Sequence, residues 1–124
     1  MKFVRKKQAT TSELIQLETV KENGFYLQYF HNPSEAVQLA AVKQNGYCIQ
    51  FIHNPSEAVQ LAAVRQDGYC IQFIYNPSEL IQLEAVKQNG YSIKLIHNPS
   101  EAVIKWLFEN NKKVFNQFYE AEEN

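Results

Sequence analysis

The sequence lacks long apolar runs, a dominant charge and the cysteines of a disulfide framework. No apolar stretch approaches the roughly 18 residues of a membrane span. The basic start has no apolar stretch after it, so we expect no secretory signal. The formal net charge of −1 argues against a surface built mainly for nucleic acid or anionic membranes. We therefore expect one cytoplasmic domain, residues 1–124.

The sequence does contain an internal repeat. Residues 32–53 read NPSEAVQLAAVKQNGYCIQFIH, and residues 54–75 repeat them with three changes. Every step is 22 residues, with no insertion. A fixed period of this length is typical of a stacked array of repeats. The predicted repeats are 10–31, 32–53, 54–75 and 76–97, followed by a C-terminal cap at 98–120.

The first part of each repeat predicts an α-helix with defined ends. Asn32 is a candidate N-cap, followed by Pro33 at the first helical position and Glu35 at the capping-box spacing. The residues AVQLAAVKQN are good helix formers. Gly46 is predicted to end the helix in a left-handed conformation. In the first repeat Thr10 takes the place of Asn32.

The second part of each repeat, YCIQFIH in residues 47–53, fits two structures. As a short helix it places Gln50 and His53 on one polar stripe. As a strand it places Tyr47, Ile49 and Phe51 on one face. Seven residues are too few for periodicity to decide. A helix would give an α/α solenoid, whereas a strand would give a short β-α horseshoe.

The letters of the repeat also resemble a known family. NPSEAVQLAAVKQNGYCIQFI is similar to bacterial and viral repeats with an LAAVKQNGxALxYA-type core, a family of unknown function often called DUF4116-like. Relatives often carry Ala and Leu in the second segment, which implies a helix there. We therefore predict an all-α solenoid of 22-residue two-helix repeats with a C-terminal capping helix. The resemblance implies a bacterial or infected host cell as the location, and no activity.

The two ends depart from the repeat. Residues 98–120 carry bulky apolar residues and predict a longer amphipathic helix, bent near Asn110, that covers the last apolar face. Alternatively, Trp106 could centre a patch that docks a partner or a second copy. At the other end, Phe3 and Val4 either stand in for a missing helix or belong to a frayed tail.

No arrangement of residues argues for chemistry. The sequence has no P-loop, GxGxxG, HExxH or GxSxG motif. Cys48 and Cys70 fall at the same place in adjacent repeats, so we expect small, partly buried thiols. A zinc site would require stacking to converge them with His31 and His53. We predict no enzyme, catalytic residue, metal or cofactor.

Binding is the remaining class of function. Repetition places like side chains in columns, by which we mean equivalent positions in successive repeats, and stacked repeats bind extended partners through such surfaces. We predict a non-catalytic module that binds an unidentified protein. Its predicted binding column comprises Gln28, Gln50, Gln72, Lys94, His31, His53, Tyr75 and His97, and its secondary patch comprises Lys43, Arg65, Lys87 and Trp106.

Three other functions stay open. The similarity to viral sequences suggests a phage- or virus-encoded inhibitor that masks a host defence protein. The basic column at the end of the first helix, together with the basic N-terminus, could bind along a phosphate backbone. The overall net charge of −1 argues against nucleic acid as the partner. The near identity of two repeats also suits a structural, self-assembling or designed array.

Overall fold

The computed structural model describes residues 1–6 and 8–122, and in that part of the chain all regular structure is helical. Helices of the α type alternate with 3₁₀ helices, labelled η. The α-helices are α1 (Thr11–Glu22), α2 (Glu35–Gln44), α3 (Glu57–Gln66), α4 (Glu79–Gln88), α5 (Glu101–Asn110) and α6 (Lys112–Phe118). The 3₁₀ helices are η1 (Gly24–Tyr29), η2 (Gly46–Phe51), η3 (Gly68–Phe73) and η4 (Gly90–Leu95).

The helices stack in two layers. Each of α1 to α5 packs against the next α-helix, and each of η1 to η3 packs against the next 3₁₀ helix. This arrangement confirms the predicted α solenoid. The β-α horseshoe is wrong, since the described residues contain no strand. No helix among them is long and apolar enough to cross a membrane.

The second segment of each repeat is a 3₁₀ helix of six residues, longer than most. Three residues per turn place Gly46 and Ile49 on one face, which is buried, and Tyr47 and Gln50 on another, where Gln50 is exposed. Asn45 ends α2 and also caps η2, because its Oδ1 accepts a hydrogen bond from the Tyr47 backbone N at 3.0 Å. The same residue therefore ends one helix and starts the next.

The predicted Asn32 cap is wrong by two residues. Helix α2 begins at Glu35, and the Ser34 hydroxyl accepts a hydrogen bond from the Val37 backbone N at 3.3 Å. Asn32 instead has a φ of 49°, a left-handed conformation that asparagine tolerates better than most residues. It therefore turns the chain ahead of the helix. The Thr10 cap of α1 is confirmed, with the Glu13 backbone N donating to its hydroxyl at 3.1 Å.

The glycines are needed for a different reason from the one predicted. None of the four has a positive φ. A Cβ placed on Gly46 would lie 2.7 Å from Cys70 Sγ and 2.8 Å from the Ala63 carbonyl oxygen, both in the next repeat. The Gly46 backbone N also donates a hydrogen bond of 3.0 Å to Gln66 Oε1. Glycine lets adjacent repeats approach closely; it does not supply a left-handed helix end.

The core runs along the interface between the two layers. Within each α-helix, one apolar column faces the preceding repeat and another faces the following repeat. Val20, in the column of Val42, is fully buried in α1, whereas Ile15, in the column of Val37, is 62% exposed. The column of Val42 therefore faces the following repeat, and the column of Val37 faces the preceding one. The last repeat agrees, since Val103 of the Val37 column is buried.

The C-terminal cap consists of two helices where one was predicted. The break falls at Asn111, next to the predicted bend, and the Asn111 side chain accepts a hydrogen bond from the Val114 backbone N at 3.2 Å. Val114 and Phe115 of α6 are buried against the stack. At the N-terminus Phe3 and Val4 are both 86% exposed, so they do not replace a missing helix.

Candidate functional site

The predicted glutamine column lies on the exposed side of the 3₁₀ layer. Gln28, Gln50 and Gln72 are all exposed. The Gln50 side-chain Nε2 donates to the Tyr47 carbonyl oxygen at 2.9 Å, and the Gln72 Nε2 donates to the Tyr69 carbonyl oxygen at 3.0 Å. Each amide is thus held against its own helix. A side chain already held in one conformation loses less entropy when a partner binds.

Lys94 ends the glutamine column with a charge. It is exposed on η4, and its Nζ lies 5.3 Å from the centre of the Tyr69 ring in the preceding repeat. This is the geometry of a cation–π contact. The column therefore presents amides along most of its length and a cation near the C-terminal end.

Aromatic pairs connect neighbouring 3₁₀ helices, a feature that the sequence did not predict. The Tyr47 and Phe73 rings lie 5.7 Å apart at 73°, and the Phe25 and Phe51 rings lie 5.7 Å apart at 74°. Edge-to-face pairs of this kind stabilise packing beyond the area they bury. The aromatic columns are visible in the sequence. Their pairing is not, because the paired residues are 26 positions apart and the repeat is 22 residues long.

The histidine and tyrosine column lies in the turns that follow the 3₁₀ helices. His31, His53, Tyr75 and His97 are all exposed, and Tyr75 is 97% exposed. A groove of about 640 Å³ lies between the third and fourth repeats. Three predicted binding residues line it together, namely Gln72, Tyr75 and His97. The structure therefore brings parts of the glutamine column and the turn column into one concave surface.

The lining of the groove contains no Asp, Glu, Lys or Arg side chain. Besides the three predicted residues it is lined by Ile71, Phe73, Ile74, Asn76, Pro77, Gln82, Leu95, Ile96 and Asn98. Gln82 is buried and fixed in place, with its Nε2 donating to the Pro77 carbonyl oxygen at 3.1 Å and its Oε1 accepting from the Ser100 backbone N at 2.8 Å. The floor of the groove is therefore built by the fold, and its rim by exposed amide, phenol and imidazole groups.

The secondary patch lies in the other layer. Lys43, Arg65 and Lys87 are exposed near the C-terminal ends of their α-helices. Arg65 Nη2 lies 3.5 Å from Glu84 Oε1. Trp106, in the column of Glu84, is half-buried and packs against the core. The patch is thus separate from the groove, and its central cation has an acidic neighbour.

The two thiols are buried and unreactive by environment. Cys48 and Cys70 are fully buried, and burial raises the pKa of Cys48 to about 11 and that of Cys70 to about 12. Thiols with a raised pKa are poor nucleophiles and poor metal ligands at neutral pH. His31 and His53 are exposed, so they do not converge with the thiols. Across the residues that the structure describes, no three His, Cys, Asp or Glu side chains are grouped to hold a metal ion.

Comparison with known proteins shows no relative from which a function could be taken. No family model, no curated protein and no solved structure matches the chain. The likeness to the DUF4116-like repeats rests on the letters of the repeat alone.

Proposed function

We propose that the protein is a non-catalytic binding module that recognises an extended, uncharged segment of another protein through its 3₁₀ layer. The observation that carries this proposal is the groove between the third and fourth repeats, where Gln72, Tyr75 and His97 meet. Sites of this kind combine an apolar floor with a few polar groups that set orientation. Tyrosine is also one of the residues that most often dominate binding energy at protein interfaces.

The residues that line the groove favour an uncharged partner segment. A groove lined by no Asp, Glu, Lys or Arg side chain offers no permanent counter-charge to a charged occupant, and an unpaired buried charge is costly. Apolar, amide and hydroxyl side chains suit it better, because the rim offers amide and phenol groups for hydrogen bonds. The repeated glutamines on η2 and η3 continue the same surface toward the N-terminus, as expected for a partner that lies along the stack.

Nucleic acid is less well supported as a partner. Two of the four exposed cations of the basic α-layer column have an acidic neighbour. Lys21 Nζ and Arg65 Nη2 each lie 3.5 Å from a glutamate oxygen, of Glu18 and Glu84 respectively. These pairs reduce the positive field that a phosphate backbone requires. A viral inhibitor that masks a host protein would be one form of the proposed binding function.

The test is a comparison of two variants of the full chain in affinity capture from a bacterial lysate. Gln50→Glu with Gln72→Glu adds two charges to the proposed surface, whereas Lys43→Gln with Arg65→Gln and Lys87→Gln changes the α layer. We expect both variants to fold like the wild type, since exposed substitutions usually change stability by less than about 0.5 kcal/mol. Partner capture should be weakened in the first variant and retained in the second.

Contact with the groove itself is tested by photo-cross-linking. A photoreactive amino acid replaces Tyr75, whose side chain is 97% exposed, and a matched control replaces Lys43 in the other layer. The captured partner should cross-link from position 75 and not from position 43. Cross-linking from position 43 alone contradicts the proposal. Steeply salt-dependent binding of an oligonucleotide that the triple variant abolishes would favour nucleic acid instead.

A further inference from the structure

The N-terminal end of the stack leaves a repeat interface open. Ile15 is 62% exposed, although Val37, Val59, Ile81 and Val103 in the same column are fully buried by the preceding repeat. Leu14 beside it is 53% exposed, and both line a shallow groove on α1. Ile15 thus belongs to a repeat-interface column that no repeat in the described chain covers there, whereas Leu14 is exposed as Leu80 of its own column is.

The C-terminal end carries the matching open column. Phe108 is 40% exposed, although Val42, Val64 and Val86 in its column are buried by the following repeat. Together with Ile104 and Phe115, Phe108 lines a groove of about 590 Å³ on the outer side of α5 and α6. Helix α6 covers the 3₁₀ side of this end, but the α side keeps an apolar surface.

Charged side chains surround both apolar centres, with carboxylates lining the N-terminal groove and charges of both signs lining the C-terminal one. Glu18 and Glu22 line the groove on α1. Lys105 lines the C-terminal groove, which also includes Glu101, and Lys112 Nζ lies 4.7 Å from the centre of the Phe108 ring. Glu18 and Lys105 each have a partner on their own helix, Lys21 at 3.5 Å and Glu109 at 3.8 Å. These pairs are exposed and therefore weak, so the carboxylates and the ammonium groups can exchange partners.

The terminal segments are also complementary to each other, with the reverse polarity. Lys2, Arg5 and Lys6 precede the first repeat, whereas Glu120 and Glu122 follow the last helix. Two N-terminal segments brought together would repel each other, and so would two C-terminal segments. An N-terminal segment next to a C-terminal segment gains attraction.

We infer that the N-terminal end of one copy packs against the C-terminal end of another, so that the stack continues from chain to chain. The interface would reuse the columns that already join repeats within the chain, Ile15 of one copy meeting Phe108 of the next. A head-to-tail contact of this kind does not close on itself and produces open chains of copies. This inference concerns the ends of the stack and does not depend on the proposed binding groove.

The test begins with the wild-type protein. Its weight-average mass, measured by light scattering and sedimentation over a concentration series at low salt, should rise beyond that of a dimer. Added salt should lower it, because exposed charges are screened. A mass that stays at that of one chain at every concentration overturns the inference.

Two charge-reversed variants then identify the contact. Glu18→Lys with Glu22→Lys reverses the N-terminal end, and Lys105→Glu with Lys112→Glu reverses the C-terminal end. Each variant alone should associate at least about tenfold more weakly than the wild type, since about 1.4 kcal/mol corresponds to that factor. The charge-neutral Ile15→Ala should also weaken association.

Mixing the two variants gives the deciding result. Each reversed end then finds the reversed end of the other variant, and each native end finds a native one, so the mixture should regain the growth of the wild type. A symmetric contact between N-terminal ends predicts that the variant reversed at the C-terminal end associates normally by itself. That outcome, or a mixture that stays monomeric, would overturn the head-to-tail arrangement.

Discussion

Ile81 and Ile15 are the same residue type at the same place in their repeats, yet they have opposite environments. Ile81 in α4 is fully buried, whereas Ile15 in α1 is 62% exposed. The difference comes from the neighbour and not from the residue, because α3 covers the column at Ile81 and nothing in the described chain covers it at Ile15. In a stack, burial is a property of the interface between two repeats.

The same comparison explains where small residues are needed. Cys48 is fully buried because it packs beneath Gly24 of the preceding repeat, where a Cβ would lie 2.7 Å from its sulfur. The first repeat has Tyr26 at this place, and Tyr26 is 46% exposed. No glycine precedes it in the stack, so no limit on size applies. The size of side chains in an interior repeat is therefore limited by the neighbours on both sides, whereas an end repeat is limited on one side only.

The largest expected effect is the difference between the two isoleucines. Ile81→Ala should lower the free energy of unfolding by about 2–5 kcal/mol, because it leaves a cavity in a packed interface. Ile15→Ala should change it by less than about 0.5 kcal/mol, as expected for an exposed position. Chemical denaturation at low protein concentration, where copies do not associate, gives both values.

Equal losses in the two isoleucine variants would contradict the exposed N-terminal face. They would mean that another part of the molecule covers Ile15 in solution. A loss for Ile15→Ala that grows with protein concentration would instead support the contact between copies, since association stabilises the folded state by mass action.

The next effect compares an interior glycine with the last one. Gly46→Ala places a methyl group against Cys70 Sγ and the Ala63 backbone, at 2.7 and 2.8 Å, and the backbone cannot give way cheaply. We expect a loss of about 1–3 kcal/mol. At Gly90 the nearest atom is Asn111 Nδ2 at 2.7 Å, the end of a side chain in the cap. Gly90→Ala should therefore be less destabilising than Gly46→Ala. Thermal melting of both variants measures the order, and a larger loss of stability for Gly90→Ala would contradict this prediction.

The glycine result shows what the sequence could and could not predict. The 22-residue step identified the repeats, the α-helices and the glycines at which those helices end. It could not supply the reason for Gly46, because the contact with Cys70 exists only once repeats are stacked at a particular distance. The cap was misplaced for a similar reason. Asn32 and Ser34 can both cap a helix, and only the left-handed turn at Asn32 decides between them.

The candidate site was also predictable only in part, since the sequence gives its columns but not the groove. Columns such as Gln50 and Gln72 follow from the repeat, and their exposure follows from polarity. The groove does not follow, because its wall combines the turn at Tyr75 with Leu95 and His97 of the next repeat. Seven residues of sequence also could not distinguish a 3₁₀ helix from an α-helix, because the difference depends on the caps at both ends of the segment.

A smaller effect, of opposite sign, is expected at Ser92. This serine replaces the cysteine of the two preceding repeats, is fully buried, and its hydroxyl has no hydrogen-bond partner among the described residues. An unpaired buried hydroxyl is destabilising, whereas a thiol behaves as a small apolar group. Ser92→Cys should therefore stabilise the protein by about 1 kcal/mol in urea denaturation under reducing conditions.

The control for Ser92 is the reverse change in an equivalent place. Cys70→Ser should destabilise by about 1–3 kcal/mol, because it creates the same unpaired hydroxyl in the interior. A loss of stability in Ser92→Cys would show that the fourth repeat has less room than the third, and that the cap compresses its neighbour.

The smallest effect compares two surface ion pairs whose glutamates, Glu18 and Glu84, occupy the same column. Glu84 pairs with Arg65 of the preceding repeat, and its side chain is 22% exposed. Glu18 pairs with Lys21 on its own helix, and its side chain is 79% exposed. Partial burial weakens solvent screening, so Glu84→Gln should cost about 0.5 kcal/mol and Glu18→Gln no measurable amount. A double-mutant cycle with Arg65→Gln isolates the first pair, and its coupling should vanish near 1 M salt, where the Debye length falls to about 3 Å. Equal coupling in both pairs would mean that contact across a repeat interface adds nothing to a surface charge, and that the interior and the end of the stack differ only in their apolar columns.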